Sequence, residues 1–102
     1  MKKYNSINIT YKFNEDNLIK EIKDYVDSTY RQHYSAGNYQ ATDIIIDSGH
    51  GEGFGIGNII KYAMRYGKKE GRNREDLLKI IHYGIIMLYV HDRLKKYFAT
   101  GE

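Results

Sequence analysis

Residues that favour burial recur at helical spacing in several separate stretches of this chain. Leu18, Ile19, Ile22, Tyr25, Val26, Thr29 and Tyr30 predict a helix from about Glu15 to Tyr34. Its outer face carries Lys20, Glu21, Lys23, Asp24 and Asp27, an ordinary solvated surface. Asn14 reads as the N-cap, and Glu15 and Asp16 supply first-turn carboxylates that suit the helix dipole. Ser35-Ala36-Gly37-Asn38 stops that helix. The triple isoleucine Ile44 to Ile46 lies in a short segment, about Gln40 to Asp47, which periodicity alone reads as helix or buried strand. A further helix is expected from Gly57 to Tyr66, with Gly67 at its C′ position. The last helix starts after Asn73, a candidate N-cap followed by Glu75 and Asp76, and runs to about Phe98.

Two stretches fit less simply. Ile7, Ile9, Tyr11 and Phe13 alternate, which is a short strand pattern without an evident partner strand. The centre of the last helix, IIHYGIIMLYV, is apolar nearly all the way round. Such a helix is buried on most sides, and in a small protein part of that surface can pack on another subunit. Gly84 inside it costs on the order of 1 kcal/mol relative to Ala, which points to close approach of another helix. The expected fold is mainly α, a small bundle of about four helices with a short N-terminal extended arm or strand. Residues 1–14 form the arm and 15–98 the helical body of a single domain, 1–102, assembled as a homo-oligomer.

The glycines change this picture. Gly49, Gly51, Gly53, Gly55 and Gly57 occupy alternate positions just before a helical pattern. They read as a flexible loop feeding a helix N-terminus, where unpartnered N–H groups and the dipole favour an anion. Asn58, Lys61, Tyr62 and Arg65 then share one helical face, with Ile59, Ile60, Ala63 and Met64 opposite. The expectation is that the apolar side packs while the polar side offers an amide, an ammonium, a phenol and a guanidinium to a phosphate. Lys68 and Lys69 follow in a polar loop.

Charge agrees with a discrete anionic ligand. The net charge is +3, yet residues 61–79 hold seven Lys or Arg against three acids, which leaves the rest of the chain at −1. A local basic segment on a nearly neutral body suits a small anion better than a long nucleic-acid track. The chain has no Cys, so disulfides, thiol catalysis and Cys-based zinc sites are excluded. The opening MKKYNSINITYKF holds no uninterrupted apolar run of a signal peptide, and no stretch reaches the roughly 18 apolar residues of a membrane span. A cytoplasmic protein is expected.

Familiar phosphate motifs are missing. No Gly-Lys-Ser/Thr occurs, and Gly51 and Gly53 are followed by Ile56 where a dinucleotide fingerprint needs glycine. His91-Asp92 echoes the first word of a metal-dependent phosphohydrolase signature, but His50, Asp43 and Asp47 do not complete a ligand set, so no metal is expected.

The runs Phe54-Gly55-Ile56-Gly57-Asn58-Ile59-Ile60-Lys61-Tyr62, Arg65-Tyr66-Gly67-Lys68-Lys69 and Glu75-Asp76-Leu77-Leu78-Lys79 resemble a family of small bacteriophage proteins of the SaV-like type, mostly of unknown function. One branch of it resembles a phage nucleotide kinase that lacks a P-loop and needs no metal. The resemblance spans roughly His33 to Arg93 and favours helix for the isoleucine segment. It implies a nucleotide-binding protein of the infected cell's cytoplasm and, for the kinase branch, a nucleoside monophosphate kinase with a nucleoside triphosphate as donor. Lys61 and Arg65 would then be catalytic, with His33, matched by a family His-Tyr pair, as base. Gly55, Gly57, Asn58, Tyr62, Lys68 and Lys69 would bind the nucleotide, and Asp76 would anchor the last helix or a basic side chain. The chain departs from the family at Ile80-Ile81-His82-Tyr83-Gly84, where an Ala-x-x-Tyr-Leu-like run is more usual, and in its richer glycine run. Two other classes stay open. One is a binder that sequesters a nucleotide signal without turnover. The other is a host-takeover protein that grips a host protein through the last helix.

Overall fold

The computed structural model describes residues 9–33 and 41–97. Four helices follow one another: α1 (Glu15–His33), α2 (Ala41–Asp47), α3 (Gly51–Arg65) and α4 (Arg74–Tyr97). No strand occurs among the described residues. Ile9, Tyr11 and Phe13 lie exposed ahead of α1. Ile7, the start of the alternating pattern, and the expected stop at residues 35–38 lie outside the described residues.

Helix ends follow local chemistry. Asn73 caps α4: its Oδ1 accepts the Glu75 N–H at 3.0 Å, and its carbonyl accepts the Asp76 N–H at 3.0 Å. Gly67, at φ +85, takes the left-handed conformation that ends α3, and its N–H donates to the Gly71 carbonyl at 2.9 Å. The Lys68 and Lys69 N–H groups return to the Arg65 carbonyl at 2.9 and 3.3 Å. The basic loop is therefore a tight, hydrogen-bonded turn that folds α4 back antiparallel along α3.

The glycine run is helix, not loop. α3 begins at Gly51, six residues earlier than the sequence pattern indicates, and Gly51, Gly53, Gly55 and Gly57 all lie within it. Packing overrides the poor helix propensity of glycine. A Cβ on Gly51 would lie 3.1 Å from Val90 Cγ2 and 3.2 Å from Ile46 Cγ1, and one on Gly55 would collide with the Met87 sulfur. These two glycines, one turn apart, let α4 lie close against α3. Only Gly49, at φ +93, keeps a loop conformation.

The faces of α3 are largely exchanged relative to the expectation, except that Lys61 is exposed as expected and Ile59 is half-buried. Gly51, Gly55, Tyr62 and Arg65 turn toward α4, whereas Ile60, Ala63 and Met64 are exposed. Gly51 and Gly55 permit the close approach of α4 on this side, while Ile56, Ile60 and Met64 are left open.

α1 crosses α4 on another side. The Arg74 guanidinium pairs bidentately with the Glu21 carboxylate, with Nη2–Oε1 at 2.7 Å, and the Tyr25 ring meets His82 edge-on at 5.9 Å. α2 is tied to α4 by Arg93 Nη1, which donates to Asp47 Oδ1 at 3.3 Å and to the Tyr89 hydroxyl at 3.1 Å. Among the described residues only Ile22 (9 % exposed) and Val90 (5 %) are buried hydrophobics. The Cα radius of gyration is 16.2 Å, against about 13 Å for a compact chain of this length.

Candidate functional site

Because α1 and α2 touch α4 from different directions, they leave a cavity of about 640 Å³ between themselves and the α3–α4 pair. α1 lines it with Tyr25, Val26, Thr29 and Tyr30, and α2 with Thr42, Asp43 and Ile46. α3 contributes Tyr62, and α4 contributes Lys79, His82, Tyr83, Ile85, Ile86 and Tyr89. That volume is in the range of small-molecule sites, and the wall mixes tyrosine rings and aliphatic side chains with polar groups from Thr29, Thr42, Asp43, Lys79 and His82.

The rings are ordered against one another. Tyr62 and Tyr83 lie nearly parallel, centroids 6.1 Å apart and planes 15° apart, and Phe54 meets Tyr83 edge-on at 5.8 Å. Lys79 sits among them. Its Nζ donates to the Tyr25 hydroxyl at 3.3 Å, pairs with Glu75 Oε2 at 3.5 Å, and stands 5.7 Å from the Tyr62 centroid and 5.9 Å from that of Tyr25. Burial alone would lower its pKa, but the Tyr25 hydroxyl and Glu75 outweigh that and hold it above the ordinary lysine value. The cavity thus keeps a positive charge throughout the physiological range. His82 is held below the ordinary histidine value, first by burial and then by the Lys79 charge, so near neutral pH it is an uncharged imidazole. Burial and the neighbouring Tyr62 raise Tyr83, which keeps its phenol protonated as a donor.

Of the residues singled out in the sequence, Tyr62 is the one that lines this cavity. Lys61 is not among the lining residues; it is exposed, with Nζ 4.6 Å from the Tyr62 centroid. Asn58 is half-buried, and its Nδ2 donates to the Phe54 carbonyl of its own helix at 2.9 Å. Arg65 Nε lies 3.6 Å from Asp76 Oδ1, so the anchoring expected of Asp76 falls on Arg65. Lys68 and Lys69 are exposed in the α3–α4 turn. Gly55 and Gly57 lie in the body of α3, where N–H groups bond within the helix and offer no phosphate cradle. His33 closes α1, and its side chain lies outside the described residues.

Lys79, Tyr25 and His82 are the groups the sequence reading left out of the site. For Lys79 and His82 the available signal is the spacing of Glu75, Lys79 and His82, which puts polar groups on one side of α4; nothing comparable marks Tyr25, which lies on α1. No group of three or more His, Asp or Glu able to hold a metal occurs among the described residues. No helix among them is long and apolar enough to cross a membrane.

The arrangement is suited to a flat, anionic molecule: aromatic faces for a ring, a fixed ammonium for charge, and hydroxyls, an imidazole and the Asp43 carboxylate for hydrogen bonds. Neither a curated protein nor a solved structure matches the chain. A family model does match it, over residues 28–84, more than half of its length, and the chain belongs to that family, described as a protein of unknown function (DUF3310).

Proposed function

We propose that this chain binds a nucleoside phosphate, with the base against the tyrosine walls of the four-helix cavity and the phosphate drawn to Lys79 and to the Lys61 ammonium beside Tyr62. The observation that carries this reading is Lys79 held among Tyr25, Tyr62 and Tyr83 at the wall of a cavity of nucleotide size. A base can stack on any of these rings without regard to its identity, and a charge-assisted contact to phosphate is roughly twice as strong as a neutral one.

The resemblance to the bacteriophage family directs the reading toward phosphoryl transfer onto a nucleoside monophosphate, with a nucleoside triphosphate as donor and without a metal. Such transfer asks mainly for positioning and for positive charge around the moving group. Lys61, Lys79 and the Lys68–Lys69 turn are the cations of this reading. A protein that holds a nucleotide signal without converting it would use the same cavity.

One incubation separates these outcomes. The protein is mixed with nucleoside mono- and triphosphates and cyclic dinucleotides, and bound and free nucleotides are identified by mass after denaturation. New phosphorylated species that disappear in Lys79→Met support the kinase. One unchanged nucleotide retained in simple ratio to the chain supports the sequestering binder. No retention and no product overturns the proposal.

A further inference from the structure

We infer that the cavity takes a nucleotide charged at one end only, and that Asp43 on α2 is the residue that rejects anions charged at both ends, such as a cyclic dinucleotide. This rests on the nucleotide reading and narrows it.

Among the described residues that line the cavity, Lys79 is the only Lys or Arg and Asp43 the only Asp or Glu. Their situations differ. Lys79 is engaged by Glu75 and by the Tyr25 hydroxyl. Asp43 is half-buried and makes no ion pair or hydrogen bond with the described residues. Asp47, one turn on, is exposed and takes up Arg93, so that guanidinium is already paired. Partly withdrawing a carboxylate from water without a partner is unfavourable, and a ligand that donates to it offsets the cost. A carboxylate in the first turn of α2 suits the helix dipole, but positions 41 and 44 of the same turn are exposed and would serve the dipole equally. The dipole therefore does not account for a carboxylate on the cavity wall.

The two charges stand at opposite ends. α2 is fixed to the C-terminal half of α4. Ile46 and Val90 meet over Gly51, and Asp47 pairs with Arg93. At 1.5 Å per residue, Val90 and Arg93 lie roughly 16 and 21 Å along the helix axis from Lys79. Asp43 is one turn before Asp47, about 6 Å away, which leaves it on the order of 10 Å or more from Lys79. The Lys61 ammonium beside Tyr62 adds positive charge on the α3 side, where Tyr62 faces Lys79. The cavity is thus polarised along its length, positive near Lys79 and negative near Asp43.

This polarity sets the pose of a nucleotide. Its phosphate goes to Lys79 and its ring stacks on the tyrosines. The outer edge of the base, the part farthest from the phosphate, then points toward Asp43. Base edges carry N–H donors, and an ionised carboxylate is an acceptor only. A cyclic dinucleotide holds its two phosphates on opposite sides of one ring. Placing one of them at Lys79 carries the other toward Asp43, where like charges repel in a partly desolvated space.

The test compares matched probes by calorimetric titration: adenosine, guanosine and uridine 5′-monophosphates, each against the cyclic dinucleotide of the same base. The unmodified chain, Asp43→Asn and Asp24→Asn are titrated in parallel. Asp24→Asn makes the same charge change on the exposed side of α1. The unmodified chain is expected to bind at least one monophosphate, and its cyclic dinucleotide about tenfold or more weakly. Asp43→Asn should strengthen the cyclic dinucleotide until the gap is under about threefold, whereas Asp24→Asn should leave the gap in place. If Asp43→Asn fails to fold, Asp43→Ser, which keeps a residue suited to a helix start, takes its place. Equal binding of the two probes by the unmodified chain, a gap that survives in the Asp43 variant, or a gap closed only by weaker monophosphate binding overturns the inference and leaves the nucleotide reading standing. Binding of none of the probes overturns the nucleotide reading and the inference with it.

Discussion

Asp76, 2 % exposed, faces Arg65 at 3.6 Å and so joins the last turn of α3 to the first turn of α4. Neither the Arg65 Nε nor the Asp76 Oδ2 has a hydrogen-bond partner within the described residues, so this ion pair is what compensates both groups. The two partners are not equally buried: Arg65 is about one third exposed, and its guanidinium can turn to water, whereas the Asp76 carboxylate cannot. Removing arginine therefore strands a buried charge. Arg65→Ala is expected to cost about 2–4 kcal/mol in denaturant unfolding, more than Asp76→Ala does. Equal losses, or a loss below about 1 kcal/mol for Arg65→Ala, would contradict this asymmetry. The practical result is that Arg65→Ala confounds folding with binding, and Lys79 and Lys61 are the cleaner probes of the anion.

The closeness of α3 and α4 rests on Gly55. Its missing Cβ is the space that the Met87 side chain fills. Gly55→Ala is expected to destabilise the chain by about 1–3 kcal/mol through overpacking, although alanine is the better helix former. Met87→Ala in the same chain should recover part of that loss, and a double-mutant cycle in urea measures the coupling. Additive effects would show that the glycine is not needed for this contact.

How much of this was legible in the sequence differs from element to element. α1 and α2 stand within about a residue of their predicted spans. Asn73 and Gly67 mark their helix ends openly, because capping depends on neighbours in sequence. The start of α3 was not legible: five alternating glycines look like a loop until Val90, Ile46 and Met87 are seen against two of them. The same long-range contact decides which face of α3 packs, and periodicity identifies two faces without saying which one is buried. Tyr62 could be picked out by its place beside Lys61 and Arg65. Spacing with Glu75 and His82 puts Lys79 on a polar side of α4, but its place in the cavity depends on Tyr25, 54 residues away.

His82 makes stability depend on pH in a defined direction. Burial and the Lys79 charge depress its folded pKa below 6.5, while in the unfolded chain it titrates near that value. Between the two values the unfolded state binds more protons, so stability is full above about pH 6.5 and falls as pH drops through the folded pKa. The groups facing His82 are the Tyr25 and Tyr83 rings and the Lys79 ammonium. Melting of the unmodified chain and of His82→Gln is compared at pH 7.5 and 5.5. The unmodified chain should lose more of its thermal stability on acidification, because carboxylates common to both chains cancel in the comparison. Parallel losses would mean that His82 is not held neutral by the fold.

The cavity prediction turns on Lys79, whose charge and stem do different things. Lys79→Met keeps an unbranched side chain of similar length against Tyr25 and Tyr62 and removes the ammonium. Because the lysine is only partly buried and pairs with Glu75 at the surface, the fold should tolerate this change within about 1 kcal/mol. Nucleoside monophosphate affinity, by contrast, should fall by about tenfold or more, since a charge-assisted phosphate contact is lost. Tyr83→Leu should act on the other part of the ligand. It removes the near-parallel partner of Tyr62 and should weaken a nucleoside as much as its monophosphate, whereas Lys79→Met should leave the nucleoside nearly unaffected. Calorimetric titration of both ligands into both variants gives four affinities. If the two variants weaken nucleoside and monophosphate in the same proportion, base and phosphate do not divide between the tyrosine wall and Lys79 as the cavity geometry implies.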